Sequence, residues 1–195
     1  MRIAVDHRTS ILEASARLFA RRPYHEVLME DVARDVGVAK GTIYRHFPTK
    51  EDLFAAVSMW YLEMLEVETA RVLETGGPPL QCLKQMLKRL IELLQEHSTF
   101  FQVMQRHECE VWTRQESRFT KLRGAIRDNF VGLIVKAQGQ GELAVPFKPV
   151  IAADMLLGMM RNVLRYTQPA PTPEKLAGMA MHVFVHGLTG PSRKK

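Results

Sequence analysis

Residues 27–47 read VLMEDVARDVGVAKGTIYRHF, and this stretch decides the fold of the chain. Its apolar spacing predicts two short helices, the first over about Met29–Val36 and the second over about Lys40–Phe47. Gly37 lies between them and can adopt the left-handed backbone conformation that ends a helix at little cost. Two helices joined by so tight a turn are typical of a helix-turn-helix unit, whose second helix reads DNA.

The second of these helices is small, basic and aromatic. Ile43 and Phe47 are four residues apart and therefore share one face, which we expect to point into the core. The other side chains point elsewhere, each can donate a hydrogen bond, and none is acidic. Donors of this kind suit the phosphate oxygens and base edges of DNA. The outward residues are Thr42, Tyr44, Arg45 and His46.

The net charge of +6 does not by itself locate a DNA-binding part. Residues 1–55 hold nine Lys/Arg and eight Asp/Glu, a balance of +1, whereas the remainder holds 18 and 13, a balance of +5. Three of these eight acids, Glu30, Asp31 and Asp35, lie on the helix before the turn, which need not touch DNA. Residues 40–50, however, contain Lys40, Arg45, Lys50 and no acid, and such a cluster supplies the salt-dependent attraction to phosphates.

Three blocks between Ile11 and Phe54 resemble the DNA-binding domain of the TetR family of transcriptional regulators. They read ILEASARLFA, EDVARDVGVAKGTIYRHF and PTKEDLF. The family motif is close to G-V-x-K-G-T-[IL]-Y-x-H-F, followed by a Lys-Glu-x-Leu start to a fourth helix. A match spread over so long a segment is far more specific than one short motif. The matching positions are Gly37, Val38, Lys40, Gly41, Thr42, Ile43, Tyr44, His46, Phe47, Lys50, Glu51 and Leu53.

One feature departs from the family pattern. The family usually has Thr or Ser just before the first helix of the pair, where the hydroxyl caps that helix and touches a phosphate. This chain has Val27 and Leu28 there. Because a side-chain cap contributes about 1 kcal/mol, we expect this helix start to be weaker or to be satisfied by another group.

The resemblance implies that the second helix of the pair enters the major groove of double-stranded DNA. Lys40, Thr42 and Arg45 are then candidates for base edges or nearby phosphates, and the remaining polar residues hold phosphates and set the register. The operator should be a palindrome whose half-sites lie about 34–36 Å, or a multiple of that, apart. The predicted DNA-binding residues are Lys40, Gly41, Thr42, Tyr44, Arg45, His46 and Lys50.

The rest of the chain predicts an all-α fold of about nine helices, without convincing strand alternation. We expect a helix-turn-helix DNA-binding domain over 1–52, a helical ligand-binding and dimerisation domain over 53–190, and a disordered tail over 191–195. Polar residues and prolines mark the helix starts. These are Asp6 for the first helix, Thr49 with Asp52 for the fourth, Ser98 for the sixth, Thr113 with Glu116 for the seventh, Pro149 for the eighth, and Thr172 with Pro173 for the ninth.

The last two predicted helices, roughly 150–166 and 173–188, have wide apolar faces. A DNA reader with one small recognition helix gains affinity by pairing about a two-fold axis, and in the family this helix pair meets its copy as a four-helix bundle. We therefore predict a homodimer; the alternative is that these helices only complete a monomer core. The predicted interface residues are Ile151, Met155, Gly158, Met179, Val183 and Phe184.

Methionine and aromatic residues recur along the predicted C-terminal helices. Methionine packs adaptably, and in the family helices four to eight surround a cavity for a small effector. We predict an apolar or amphipathic effector; the alternative is that these side chains are only core. The predicted ligand-binding residues are Met64, Met86, Phe101, Met104, Phe130, Met155 and Met159.

Other groupings of reactive residues carry weaker signals. His182 and His186 share a helix face, but no third ligand has suitable spacing, so we expect neither a metal nor another cofactor. Residues 107–110 read HECE, which cannot converge from one helix. Cys82 and Cys109 could form a redox switch; the alternative, which is commoner for cysteines, is that both are buried and unreactive.

Composition and motifs exclude several classes of protein. There is no apolar run of about 18 residues for a membrane span and no apolar region of a signal peptide, and two distant cysteines suit a reducing compartment. No phosphate loop, nucleophile elbow or zinc-protease motif is present, so we do not expect an enzyme. The sequence predicts a cytoplasmic, ligand-responsive repressor; the alternative is a small-molecule-binding helical protein whose DNA reader has degenerated.

Overall fold

The computed structural model describes residues 7–106, 108–144 and 148–187. The described residues form nine α-helices and one short 3₁₀ helix and contain no strand, which confirms the all-α prediction. The helices are α1 (His7–Arg21), the 3₁₀ helix (Tyr24–Glu26), α2 (Met29–Val36), α3 (Lys40–His46), α4 (Lys50–Glu74), α5 (Pro79–Glu96), α6 (Ser98–Arg106), α7 (Glu108–Gly139), α8 (Pro149–Tyr166) and α9 (Pro173–His186).

The chain divides into two compact units whose boundaries fall within α4 and α7 and between α5 and α6. The first unit comprises the described part of Met1–Met64 with His97–Leu122. The second comprises Leu65–Glu96 with the described part of Arg123–Lys195. The predicted domain boundary after residue 52 stays a prediction.

The core of the first unit is built around an aromatic cluster. In this unit α1 packs against α2 and α6, and α2 packs against α3. Phe54 of α4 lies at the centre of the cluster, with ring centroids 5.0 Å from Phe19, 5.1 Å from Tyr24 and 5.9 Å from Phe100. Since Phe54 is almost completely buried, α4 anchors the short N-terminal helices to a shared core.

Phe54→Ala should lower the free energy of unfolding by about 3–5 kcal/mol, because it empties a buried site that three other rings surround. Urea unfolding followed by circular dichroism measures the change. Val67→Ala is the control, since Val67 lies on the same helix with 44% of its surface exposed and should change stability by about 0.5 kcal/mol at most. A loss for Phe54→Ala no larger than that of the control would contradict the central role of this ring.

The second unit is held by α5 and α9, which pack together, and by α8, which packs against α9. Lys84 and Lys88 of α5 pair with Glu174 of α9 at 2.6 and 3.2 Å, and hydrogen bonds from Lys84 and Lys88 lower the pKa of the Glu174 carboxyl. The buried apolar stripe of α5 is Leu83, Met86, Leu87, Leu90 and Ile91. The periodic spacing of that stripe gives α5 one continuous apolar face, which is buried in this unit.

Several predicted helix starts are confirmed. Thr49 precedes α4, and its hydroxyl oxygen accepts the backbone N–H of Asp52 at 3.1 Å. Thr172 precedes α9 and accepts the backbone N–H of Lys175 at 3.4 Å. Pro149 and Pro173 are the first residues of their helices. Capping residues and prolines at N-termini were therefore reliable guides at these three helices.

Two predicted starts are wrong. Ser98 is the first helical residue of α6 rather than its cap, and the carbonyl of His97 accepts the backbone N–H of Phe101 at 3.1 Å. Within the described residues α7 already begins at Glu108, so Thr113 lies inside it. A threonine is compatible with a helix interior, and residues 108–123 contain no Gly or Pro to stop the helix. The predicted cap at Asp6 lies outside the described residues.

Candidate nucleic-acid interface

The turn between α2 and α3 has the predicted glycine geometry. Gly37 follows α2 with φ +75° and ψ 34°, the left-handed region that favours glycine. The backbone N–H groups of Gly37 and Val38 both donate to the carbonyl of Ala33 at 3.0 Å. These two bonds close the last turn of α2 on the Ala33 carbonyl and direct the chain toward α3.

The inward face of α3 is the one predicted from spacing. Ile43 and Phe47 are buried, as are Val32 and Ala33 of α2. Burial of this face turns the opposite side of α3 to solvent, where Tyr44 and Arg45 are exposed. The helix therefore presents the donors that the sequence analysis expected.

The other predicted DNA-binding positions of α3 complete this surface. His46 is exposed at the end of the helix, and Thr42 is half-buried. Gly41 is exposed, and outside its chain neighbours and the local helix backbone no heavy atom lies within 4 Å of the place where a Cβ would stand. An open backbone at the second residue of α3 leaves room for close approach by a large partner.

Arg45 carries a guanidinium group that the rest of the described chain does not engage. No ion pair, hydrogen bond or ring contact within the described ranges involves its side chain, and the residue is exposed. An arginine with its donors free can bind a guanine edge or a phosphate with two hydrogen bonds.

Lys40, by contrast, is paired. Its ammonium group forms an ion pair with Glu30 of α2 and stands 5.5 Å from the ring centroid of Tyr44. The hydrogen bond between them lowers the pKa of the Glu30 carboxyl and raises the pKa of the Lys40 ammonium. Sequence reasoning missed Glu30, because it placed the acids of α2 away from DNA. Glu30 and Lys40 are ten residues apart and lie on different helices, so the spacing rule for residues on one helix face does not link them.

Lys50 is also engaged, although we expected it to hold a phosphate. Its ammonium group donates to the carbonyls of Tyr24 at 3.0 Å and His25 at 3.3 Å, and lies 4.6 Å from the centroid of the Tyr24 ring. The start of α4 is thus bound to the 3₁₀ helix, which the sequence analysis did not predict. The phosphate contact of Lys50 stays a prediction.

The start of α2 has no side-chain cap, as the departure from the family pattern indicated. Leu28 occupies the capping position, makes no side-chain hydrogen bond and is 55% exposed. Glu30 and Asp31 lie in the first turn, where their charge is favourable toward the helix dipole. They offset part of what the missing hydroxyl would contribute.

Leu28→Ser should raise the free energy of unfolding by about 1 kcal/mol, because the hydroxyl can accept a backbone N–H of the first turn. Urea unfolding measures the gain. Leu28→Ala is the matched control, since it removes the same exposed side chain without supplying an acceptor. Equal stability of the Ser and Ala variants would show that the end of α2 is already satisfied.

The predicted interface residues all lie in the second unit, on α8 and α9. Met155 and Met179 are 52% and 53% exposed, and Ile151 is 47% exposed. The other three, Gly158, Val183 and Phe184, are half-buried. We call these six residues the α8/α9 apolar face. Large apolar side chains so exposed to water are suited to cover by a partner surface.

The predicted ligand-binding residues are divided between the two units. Met86 and Phe130 are completely buried in the second unit, and Phe101 is buried in the first. Met64 and Met104 of the first unit and Met159 of the second are half-buried, whereas Met155 is exposed. The exposure of Met155 suits the interface prediction better than a pocket wall. The set as a whole stays a prediction.

The second unit has an open surface cavity of about 350 Å³ between α4 and α5, lined mainly by charged and polar residues. Its cations are paired with its acids: Arg89 contacts Glu68 at 3.0 Å and Glu92 at 3.4 Å, and Arg71 also pairs with Glu68. The sequence did not predict this cavity, because its lining residues form no apolar stripe. The lining residues are Glu68, Arg71, Val72, Thr75, Gln85, Lys88, Arg89 and Glu92.

The histidine pair and the cysteines noted in the sequence do not join a larger group of reactive side chains among the described residues. The rings of His182 and His186 have centroids 5.2 Å apart, and both residues are exposed. Among the described residues no three His, Cys, Asp or Glu side chains are placed to hold a metal. Cys82 is buried and donates to the carbonyl of Gly76 at 3.2 Å. The side chains of residues 107–110, Cys109 included, lie outside the described part.

Two family descriptions match most of the chain. Residues 11–57 match bacterial regulatory proteins of the tetR family, and residues 76–188 match the tetracyclin repressor-like C-terminal domain. The chain belongs to the TetR family. The predicted resemblance is thereby confirmed, together with the prediction of a DNA-binding, ligand-responsive transcriptional regulator. No helix in the described ranges has the length and apolarity needed to cross a membrane.

The similarity to known proteins covers nearly the whole of this TetR-family chain. The transcriptional repressor BepR of Brucella suis is 27% identical over 170 residues, which cover 83% of this chain and 80% of BepR. FadR from Bacillus subtilis, solved in complex with stearoyl-CoA, has a TM-score of 0.75 at 18% identity, with 93% of this chain and 99% of FadR covered. AibR, solved with isovaleryl coenzyme A and operator DNA, has a TM-score of 0.69 at 23% identity, with 92% and 98% covered. The two structures show that the fold is shared.

Proposed function

We propose that this TetR-family protein is a homodimeric repressor that binds a palindromic operator through α3 of each copy. The observation that carries the proposal is the outward surface of α3, whose exposed donors stand opposite a buried apolar face. Arg45 and Thr42 read base edges, while Tyr44 and His46 hold phosphates. The repressor BepR, similar over most of its length, supports repression as the activity.

Pairing through the α8/α9 apolar face supplies the symmetry that a palindrome requires. Each copy brings the same exposed methionines, Met155 and Met179, to a two-fold axis. Covering them removes apolar surface from water, which favours association by roughly 25 cal/mol per Å². The recognition helices of the two copies then meet successive major grooves of one DNA face.

The effector we propose is a small apolar or amphipathic molecule bound by the C-terminal helices, and acyl-CoA thioesters are the first class to test. FadR and AibR are both solved with acyl-CoA compounds, although those likenesses establish only the fold for this chain. Effector and operator compete through linkage: a compound that weakens operator binding must itself bind the operator complex less tightly. A regulator of this kind acts in the cytoplasm, beside the DNA.

Genomic selection tests the proposal. Purified protein is incubated at moderate salt with fragmented DNA from its own genome, and the bound fragments are sequenced. One or a few palindromic sites, released by members of an acyl-CoA panel, are the expected result. Random fragments with no shared sequence would contradict the repressor and favour the degenerate reader. Specific sites that no thioester releases would contradict only the proposed effector class.

A further inference from the structure

We propose that Glu30, on α2, is a specificity-determining residue that makes the protein select cytosine at one position of each half-site. The inference rests on the proposed function, since it assigns a base to the same recognition surface. Neither the family motif nor the sequence pattern gives this residue a role.

The geometry places the Glu30 carboxylate beside the ammonium group of Lys40, at the start of the recognition helix. It is ion-paired with Lys40, the first residue of α3, and Lys40 in turn stands over the ring of Tyr44. In helix-turn-helix proteins the N-terminal residues of the recognition helix contact base edges. A carboxylate attached to the first of those residues is therefore brought to the groove with it.

Folding does not explain the ion pair. The side chains of Glu30 and Lys40 are 42% and 59% exposed, and exposed ion pairs contribute little to stability. Helices α2 and α3 are already held together by the turn at Gly37 and by buried side chains such as Val32 and Ile43. The pair is thus available for recognition.

The chemistry of a carboxylate in the major groove favours cytosine. Phosphates repel a negative side chain, so Glu30 weakens binding to DNA that offers it no donor. Cytosine presents only its N4 amino donor there, whereas adenine presents N7, an acceptor, beside its N6 donor. Guanine and thymine present acceptors without a donor at the same edge. Glu30 therefore acts chiefly by excluding sequences, while Lys40 keeps its carboxylate in place.

The experiment begins with the operator found by genomic selection and measures binding to versions with each half-site position changed to every base. The wild-type protein should prefer cytosine at one symmetric pair of positions by about tenfold or more. Glu30→Ala should reduce that preference to less than about threefold. Glu30→Gln should also lower the cytosine preference, because the neutral amide no longer repels bases that present only acceptors and can bind adenine as well. The affinity for the operator should fall more steeply with salt concentration in both variants than in the wild type, because Lys40 is freed to contact a phosphate.

Asp35→Asn is the matched control. It removes one negative charge from the same helix, but Asp35 pairs with Arg17 of α1 at 2.9 Å instead of with the recognition helix. Base preferences should be unchanged in this variant. If the wild type selects an operator and both Glu30 variants keep its base preferences at every position, the inference is overturned and the repressor stands. If the wild type selects no operator, the proposed function itself fails.

Discussion

Arg45→Ala is expected to weaken operator binding by about tenfold or more, the largest loss for any single side chain of α3. A guanidinium that reads a base with two hydrogen bonds contributes about 1–3 kcal/mol, and a homodimer loses that contribution in both half-sites. Nothing in the described chain competes for this group, so its donors are free for DNA. Fluorescence anisotropy with labelled operator measures the loss.

Two further variants are measured for comparison with Arg45→Ala. Arg17→Ala removes an equal charge from α1, where Arg17 pairs with Asp35 at 2.9 Å, and should reduce affinity by less than about threefold. Tyr44→Phe removes one hydroxyl donor and should weaken binding less than Arg45→Ala, without changing base preference. Normal binding by both the Arg45 and Tyr44 variants would show that α3 is not the recognition helix.

Met155→Asp is expected to convert the homodimer to monomers, raising the dissociation constant of the dimer by about 100-fold or more. A symmetric interface carries every substitution twice, and each buried, unpaired carboxylate costs several kcal/mol. The fold should survive because Met155 is 52% exposed in the single chain. Sedimentation velocity at micromolar concentration measures the state of association.

Val135→Asp is the control for the dimer experiment. Val135 lies on α7 in the second unit with 50% of its surface exposed, so it introduces the same charge in place of an equally accessible apolar residue. It should remain dimeric and bind the operator as the wild type does. If Met155→Asp stays dimeric, the α8/α9 apolar face is not the dimer interface. If Val135→Asp is monomeric, the dimer interface lies on α7 instead.

Local patterns predicted most of the helices and the main features of α3. Gly37 ends α2 because only its left-handed conformation closes the turn, and the spacing of Ile43 and Phe47 determines which side of α3 is buried. Thr49 and Pro173 mark helix starts through bonds to their own neighbours or through their own geometry. Information of this kind lies within a few residues and can be read from a single sequence.

The features that sequence reasoning missed depend on packing between distant segments. Glu30 meets Lys40 only because α2 crosses α3, and Lys50 meets the carbonyl of Tyr24 across 26 positions of the chain. The start of α7 was misplaced because Thr113 is compatible with both a cap and a helix interior. Apolar residues of the second unit, such as Met86, have the same spacing whether they line a ligand or fill a core.

The hydrogen bonds of Lys50 have a mechanical consequence for the DNA reader. Only Phe47, Pro48 and Thr49 separate α3 from α4, and Lys50 fastens the first turn of α4 to the carbonyls that precede α2. This short connection and the hydrogen bonds of Lys50 leave the first turn of α4 little freedom to rotate independently of α3. In the proposed complex, a rotation of the first turn of α4 would therefore move α3 as well and change its alignment with the major groove.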